Sequence, residues 1–417
     1  MPFEYRNNTL MCEGVALQDL ADKVGTPAYV YSETAIVKRF REYDEAFGDC
    51  PHLVCFAVKA NSNLSILRLL SEQGAGFDIV SAGELYRVLR AGGDPSKVVF
   101  SGVGKTPDEI TFALRNAIHS FNCESEPEIA LIDSLAARLG VKARVALRVN
   151  PDVDASTHPY ISTGLRQHKF GVDIAEVEAV YERAMRCRNV ELEGVSCHIG
   201  SQLLDTRPLM EAVDRMVALV GMLRSKGISI EVLDLGGGLG VAYQKGERSP
   251  DIREVVQGIR DRVGGLNITI LLEPGRSIVG EAGALLTRVL YRKQNGPKEF
   301  IVVDAAMNDL IRPALYQSHH DIWPVRQYSM NSLVNADVVG PICESGDFFA
   351  RSRDLPPVFP GDLLAVMTAG AYGFVQSSNY NSRPRVPEVL VKDDTWRIIR
   401  HRESQEDLVR GEVEALA

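Results

Sequence analysis

Eight short apolar runs, each ending in small or polar residues, recur up to residue 276 with amphipathic helical stretches between them. They are "LVCFAVKA" from 53, "AGFDIVSA" from 75, "KVVFSGV" from 97, "SFNCES" from 120, "ARVALRVN" from 143, "LEGVSCHIG" from 192, "EVLDLGGGLG" from 231 and "ITILLEPGR" from 268. The segments between them, such as "SAGELYRVLRAGG" and "RPLMEAVDRMVALVGMLRSKG", repeat apolar residues at three and four. Strand-then-helix alternation constrains the fold strongly, because parallel neighbours need a crossover, and eight units can close a (β/α)8 TIM barrel. From period alone, an open doubly wound sheet is the alternative.

After about Glu281 the texture changes. "ALLTRVLYRKQ", "EFIVVDAA", "NADVVGPIC", "DLLAVMTAG" and "PEVLVKDDTWRIIR" are strand-like, with little helical period and Gly/Pro-rich turns between them. This predicts a second, all-β domain (a β-barrel or sandwich). The short N-terminal strand "AYVYS" could pair with it, since the barrel already has eight strands. The expected division is residues 35–280 for the barrel, and 1–34 together with 281–417 for the β-domain. The longest irregular insertion, "NPDVDASTHPYISTGLRQHKFGVD", follows the fifth strand, at the barrel end where loops often carry function.

With 417 residues, 45% of them hydrophobic, the chain can bury a large core. Its 46 Lys and Arg against 55 Asp and Glu give a net charge of −9, and no long basic run appears, so nucleic acid is not an expected partner. The start "MPFEYRNNTLMCEG" has no basic segment leading an apolar one, and no apolar stretch of about 18 residues occurs. No membrane association is expected, and the chain reads as cytoplasmic. Seven cysteines without CxxC spacing argue against a disulfide framework and a structural zinc site.

In a (β/α)8 barrel the chemistry collects at the C-terminal strand ends. Those ends offer Lys59, Asp78, Arg148, His198, the glycines 236 to 238, and Glu273 with Gly275 and Arg276. The glycine run lets backbone N–H groups approach an anion, and phosphate sites after the seventh and eighth strands recur in this fold; alone, it reads equally well as a flexible turn. A strand-end lysine is most often a solvated charge, but beside a phosphate cradle Lys59 suggests a Schiff base with pyridoxal phosphate. His198 reads either as a core histidine or as a ring lying flat on a planar cofactor. Glu273 reads either as a salt-bridge partner or as the carboxylate that keeps a pyridine nitrogen protonated, making the ring an electron sink.

Eight motifs in order, "FAVKAN", "FDIVSAGEL", "CHIGSQ", "DLGGGLG", "EPGR", "RPALY", "GPICESGD" and "GAYGF", resemble the signatures of the fold type III pyridoxal phosphate decarboxylases. Within these the chain is similar to the diaminopimelate decarboxylase branch over essentially its whole length. The resemblance implies a homodimer with active sites at the subunit interface. Lys59 would hold pyridoxal 5'-phosphate covalently, His198 would stack on its ring and Glu273 would pair with its nitrogen. Ser201, Gly237, Gly238 and Gly240, with Pro274, Gly275 and Arg276, would hold its phosphate. Asp78, Arg148 and Tyr372 complete the implied cofactor set. Cys343, from the other subunit, would be the proton donor, and no metal is implied. One departure is Phe56, where many relatives carry tyrosine.

A substrate with an amino acid group at each end needs a distal carboxylate anchor, which arginine forks supply. Arg276 and Arg312 fit that role, Glu344 fits the distal ammonium, and Tyr316 and Tyr372 join the implied substrate set; the plainer reading has both arginines bridging to surface acids. The expected reaction is decarboxylation of meso-2,6-diaminopimelate to L-lysine. The alternatives are a decarboxylase or racemase of another basic amino acid, or a non-catalytic pyridoxal phosphate-binding regulator. A proton donor and a carboxylate clamp speak against the regulator.

Overall fold

The computed structural model describes residues 2–154, 169–327 and 332–416, in two compact units. Most of the irregular insertion after the fifth strand, residues 155–168, lies outside the described residues.

The first unit, residues 37–241 and 248–277, is a closed barrel. Its eight parallel strands are His52–Ala57, Gly76–Ile79, Val98–Phe100, Ser120–Cys123, Ala143–Asn150, Val190–Ser196, Val232–Asp234 and Thr269–Leu272. Each pairs with the next in sequence, and the last closes on the first with Ile270 opposite His52 and Leu272 opposite Val54. Closure leaves no edge, so every strand can be apolar on both faces. Cys55, Val99, Val232 and Leu271 pack together as one buried cluster.

Three of the barrel helices start from side-chain caps placed soon after the strands. Asn63 accepts from the Ser65 amide and opens Leu64–Glu72, which buries Ile66, Leu67, Leu69 and Leu70. Ser81 caps Ala82–Ala91, and Thr106 with Glu109 forms a reciprocal capping box on Pro107–Arg115. The sixth strand slips register between Leu192 and Gly194; a Cβ on Gly194 would sit 2.6 Å from the Val232 carbonyl, so the bulge requires glycine.

Strand runs read from hydrophobicity end earlier in the structure where glycine follows. The seventh strand stops at Asp234, because Gly236 and Gly238 adopt φ of 66° and 122°.

The second unit comprises residues 1–36, 242–247 and 278–417, apart from the undescribed positions. Ala28–Ser32 lies between Gly283–Asn295, antiparallel, and Glu388–Lys392, parallel. Its core gathers Val30, Leu286, Ala365 and Val389 with Phe3, Leu10 and Leu20 of the N-terminal segment. Besides the strands read from sequence, the unit holds Phe3–Arg6 and Thr9–Cys12, and the strand Phe348–Leu355. The last of these, "FFARSRDL", carries charges on an edge and so lacks an apolar signature.

Candidate active site

The first barrel strand ends at Ala57 and turns through a short 3-10 segment, Val58–Ala60, that carries Lys59. Its Nζ donates to Asp78 Oδ2 at 2.5 Å, and Asp78, at the second strand end, is fully buried. Asp78 Oδ1 is also buried and has no hydrogen-bond partner. Gly275 packs against this turn, since a Cβ there would lie 2.9 Å from that of Ala60.

A second acidic group sits in the same barrel. Asn122 Nδ2 donates to Asp234 Oδ2 at 2.8 Å and to Glu273 Oε1 at 3.2 Å, and the Ser101 hydroxyl donates to the same Glu273 oxygen at 3.2 Å. Burial, reinforced by Asp234 and Asp78, pushes the Glu273 carboxyl well above the ordinary range, while Lys59 pulls it back. Burial also raises Asp234, against the hydrogen bonds from Asn122 and the Gly236 amide. Burial thus raises both carboxyls of this pair, and each pushes up the proton affinity of the site they share.

His198 follows the sixth strand. The Gly237 N–H donates to its Nδ1 at 3.3 Å, so Nδ1 is the acceptor and the ring is neutral with its proton on Nε2. Burial, then Arg148 and Lys59, hold its pKa well below the usual histidine value. Arg148 is fixed by Glu124, 2.8 Å from its Nη1, and Glu124 also accepts from the Gly171 amide at 2.7 Å.

The glycine turn admits no side chains. A Cβ on Gly236 would lie 2.6 Å from the Cys197 carbonyl, one on Gly238 2.5 Å from the Gly200 carbonyl, and one on Gly237 would overlap the Glu273 carbonyl. Beside it, Arg276 Nη2 donates to Ser201 Oγ at 3.0 Å, and Arg276 is only 6% exposed. Gly240 differs from its neighbours, because its N–H donates to the Leu203 carbonyl at 2.9 Å and its predicted part in an anion site cannot rest on that amide. The Pro274 carbonyl accepts from the Ala57 amide at 3.1 Å and ties the eighth strand end to the first.

These residues fit pyridoxal phosphate on three counts. A close-approach glycine turn with an arginine and a hydroxyl suits a phosphate; a buried carboxyl pair suits a pyridine nitrogen; a strand-end amine suits an aldehyde.

The remaining predicted residues lie in the second unit. Arg312 opens the short helix Arg312–Tyr316, with its guanidinium carbon 5.0 Å from the Tyr243 ring centre and 5.8 Å from that of Tyr316. Tyr372 adopts φ of 55°, a left-handed conformation, followed by Gly373. The Cys343 thiol is exposed rather than packed as a small hydrophobe, and its amide donates to Asn381 Oδ1 at 3.0 Å. Glu344 accepts from the Tyr380 hydroxyl at 2.9 Å.

Reasoning from sequence passed over Ser101, Asn122, Glu124 and Asp234. All four lie in or directly after barrel strands, so an inventory of every strand end, not only the charged and glycine-rich ones, would have found them.

A family model described as "Pyridoxal-dependent decarboxylase, pyridoxal binding domain" matches residues 33–280. A diaminopimelate decarboxylase of Pseudomonas aeruginosa is 56% identical over 410 residues, covering 98% of each chain. One from Aquifex aeolicus is 50% identical over 406 residues, 97% of this chain and 96% of its own. Among solved structures, diaminopimelate decarboxylase from Helicobacter pylori complexed with L-lysine superposes with a TM-score of 0.92 at 45% identity, over 96% of this chain and 100% of that one. The enzyme from M. jannaschii in complex with L-lysine gives 0.93 at 38% identity, over 98% and 97%.

Proposed function

Because the chain belongs to the diaminopimelate decarboxylase family of pyridoxal-dependent decarboxylases, we propose that it removes one carboxylate of meso-2,6-diaminopimelate as CO2 and releases L-lysine, the final step of lysine formation. The observation that carries this reading is the Glu273–Asp234 carboxyl pair, held by Asn122 and Ser101 in the barrel whose first strand end carries the Lys59–Asp78 pair. Bound pyridoxal phosphate supplies an aldehyde carbon and an electron-withdrawing ring that accommodates the charge left when CO2 departs.

The residues divide the work around it. Lys59 provides the attaching amine, and Asp78 orients it. Glu273 keeps a proton at the pyridine nitrogen, with Asp234 and Asn122 fixing its carboxyl. His198, neutral, offers a flat face, and Arg148 fixes its surroundings. Ser201, Gly237, Gly238, Gly275 and Arg276 take the phosphate, with Pro274 and Gly240 shaping that turn. Arg276, Arg312, Tyr316, Glu344 and Tyr372 recognise the substrate, two arginines matching two carboxylates and one glutamate the distal ammonium. Residues 35–280 thus carry the cofactor groups and Arg276, and residues 1–34 with 281–417 carry the other substrate groups and the proton donor.

The protein acts as a homodimer in which the partner subunit's Cys343 delivers the proton that replaces CO2. The exposure of Cys343 supports this role, since a proton donor to another chain has to be accessible. It works in the cytoplasm, in keeping with the absence, among the described residues, of a helix long and apolar enough to cross a membrane.

The test is incubation of the purified protein with pyridoxal phosphate and meso-diaminopimelate. Lysine and CO2 should appear in equal amounts, whereas turnover of another basic amino acid in preference to diaminopimelate would overturn the assignment.

A further inference from the structure

We infer that His320 is a positioning residue for substrate recognition, its neutral ring holding the Nε edge of Arg312 and so fixing the direction in which that arginine offers its fork. This rests on the reading of Arg312 as a carboxylate clamp.

His320 is completely buried, and its Nδ1 lies 2.8 Å from the Met367 carbonyl oxygen. A carbonyl only accepts, so Nδ1 must carry the ring proton. That leaves a lone pair on Nε2, and Nε2 is the atom that faces the Arg312 Nε–H at 3.4 Å. A guanidinium only donates, so the two contacts together require one tautomer and no other.

Two further groups pack against the same pair. Tyr243 packs edge-on to the His320 ring at 5.1 Å and lies 5.0 Å from the Arg312 guanidinium carbon. Ser318 Oγ accepts from Arg312 Nη2 at 3.3 Å, and Arg312 is itself only 6% exposed.

Recognition of a carboxylate by a guanidinium depends on direction, because both N–H bonds of the fork must align at once. An arginine able to rotate about its last bonds keeps its charge but loses that alignment. His320 removes the rotation without adding a charge of its own.

Two substitutions at His320 separate the roles of its nitrogens. His320→Gln keeps an acceptor where Nε2 stood, while His320→Asn keeps a donor where Nδ1 faced Met367 and removes the acceptor. On the holoenzyme, His320→Asn should raise KM for meso-diaminopimelate about tenfold and weaken calorimetric binding of L-lysine by a similar factor, with kcat within about twofold. The cofactor absorbance should be unchanged, and His320→Gln should recover most of the KM. Equal impairment of both variants, or an Asn variant with normal KM and normal lysine affinity, overturns the inference.

Should both histidine variants fail to fold, Ser318→Ala decides. It touches the same guanidinium from a half-buried position and should raise KM about threefold; an unchanged KM counts against the inference. Arg312→Lys run in parallel separates the two readings. An unchanged KM in that variant removes the clamp itself, whereas a raised KM beside a normal His320→Asn removes only the role of His320.

Discussion

Burial, Asp234 and Asp78 all raise the proton affinity of the Glu273 carboxyl, the group proposed to pair with the pyridine nitrogen. Glu273→Gln keeps the shape and removes the charge. It should retain the cofactor and lower kcat by about one to two decades, the cost of one charge-assisted hydrogen bond at about 1.5–3 kcal/mol, read from steady-state rates. Glu84, half-buried, is another acid of the same unit whose proton affinity is raised. Burial raises its pKa from 4.5 to about 7, against the Val80 amide that donates to it at 2.7 Å. Since its folded value lies above its unfolded one, the folded protein binds more protons between these pH values. Stability is therefore fully present below pH 4.5 and falls as pH rises through 7. Glu84→Gln can still accept from Val80, so in cofactor-free protein it should be more stable than the parent by roughly 1–3 kcal/mol above pH 7, with the gain vanishing in acid; urea titrations at pH 5 and pH 8 measure it. Lys59, His198, Glu273 and Arg276 were legible in the sequence because charged or aromatic groups stand out at strand ends. Ser101 and Asn122 were not, because Ser after a strand looks like any turn and a single Asn within a strand does not disclose which distant groups it will meet.

At the scale of elements, the barrel strands were readable because closure buries both faces, and a run that is apolar on both faces announces itself. Phe348–Leu355 was not, since an edge strand is charged for solubility. The glycine turn after the seventh strand marks where element geometry and site coincide. Gly237 has no room for a methyl group, because its Cβ would overlap the Glu273 carbonyl, a backbone atom that cannot swing aside. Gly237→Ala should therefore displace the eighth strand end from the turn. The expected result is a folded barrel by circular dichroism whose affinity for pyridoxal phosphate falls at least about tenfold, followed by titration of the cofactor absorbance, a loss of about 1.4 kcal/mol or more. Unchanged affinity would mean that the turn does not hold the phosphate.

At the scale of the whole molecule, the proposed dimer makes a prediction that no single chain can. Lys59→Ala and Cys343→Ala homodimers should each be nearly inactive, the first lacking the attaching amine and the second the proton donor. Mixed in equal amounts under conditions of subunit exchange, they should recover roughly a quarter of wild-type sites, because half the dimers are mixed and each has one intact site under two-fold symmetry. Assays before and after exchange, with exchange followed by native mass spectrometry, measure this; no recovery in mixed dimers would show that the two residues do not serve one site across an interface. The sequence alone determined the order of the barrel's strands and helices, the change to an all-β texture after residue 281, and the residue types at the barrel strand ends. These follow from periodicity and from neighbours close along the chain. Only the tertiary structure decided which polar groups meet. Asn122 bonds Asp234 and Glu273, respectively 112 and 151 residues away, and His320 takes its tautomer from a carbonyl 47 residues on. Such partnerships are set when a closed sheet or a packed core brings distant backbone together, and burial then makes each proton's position matter.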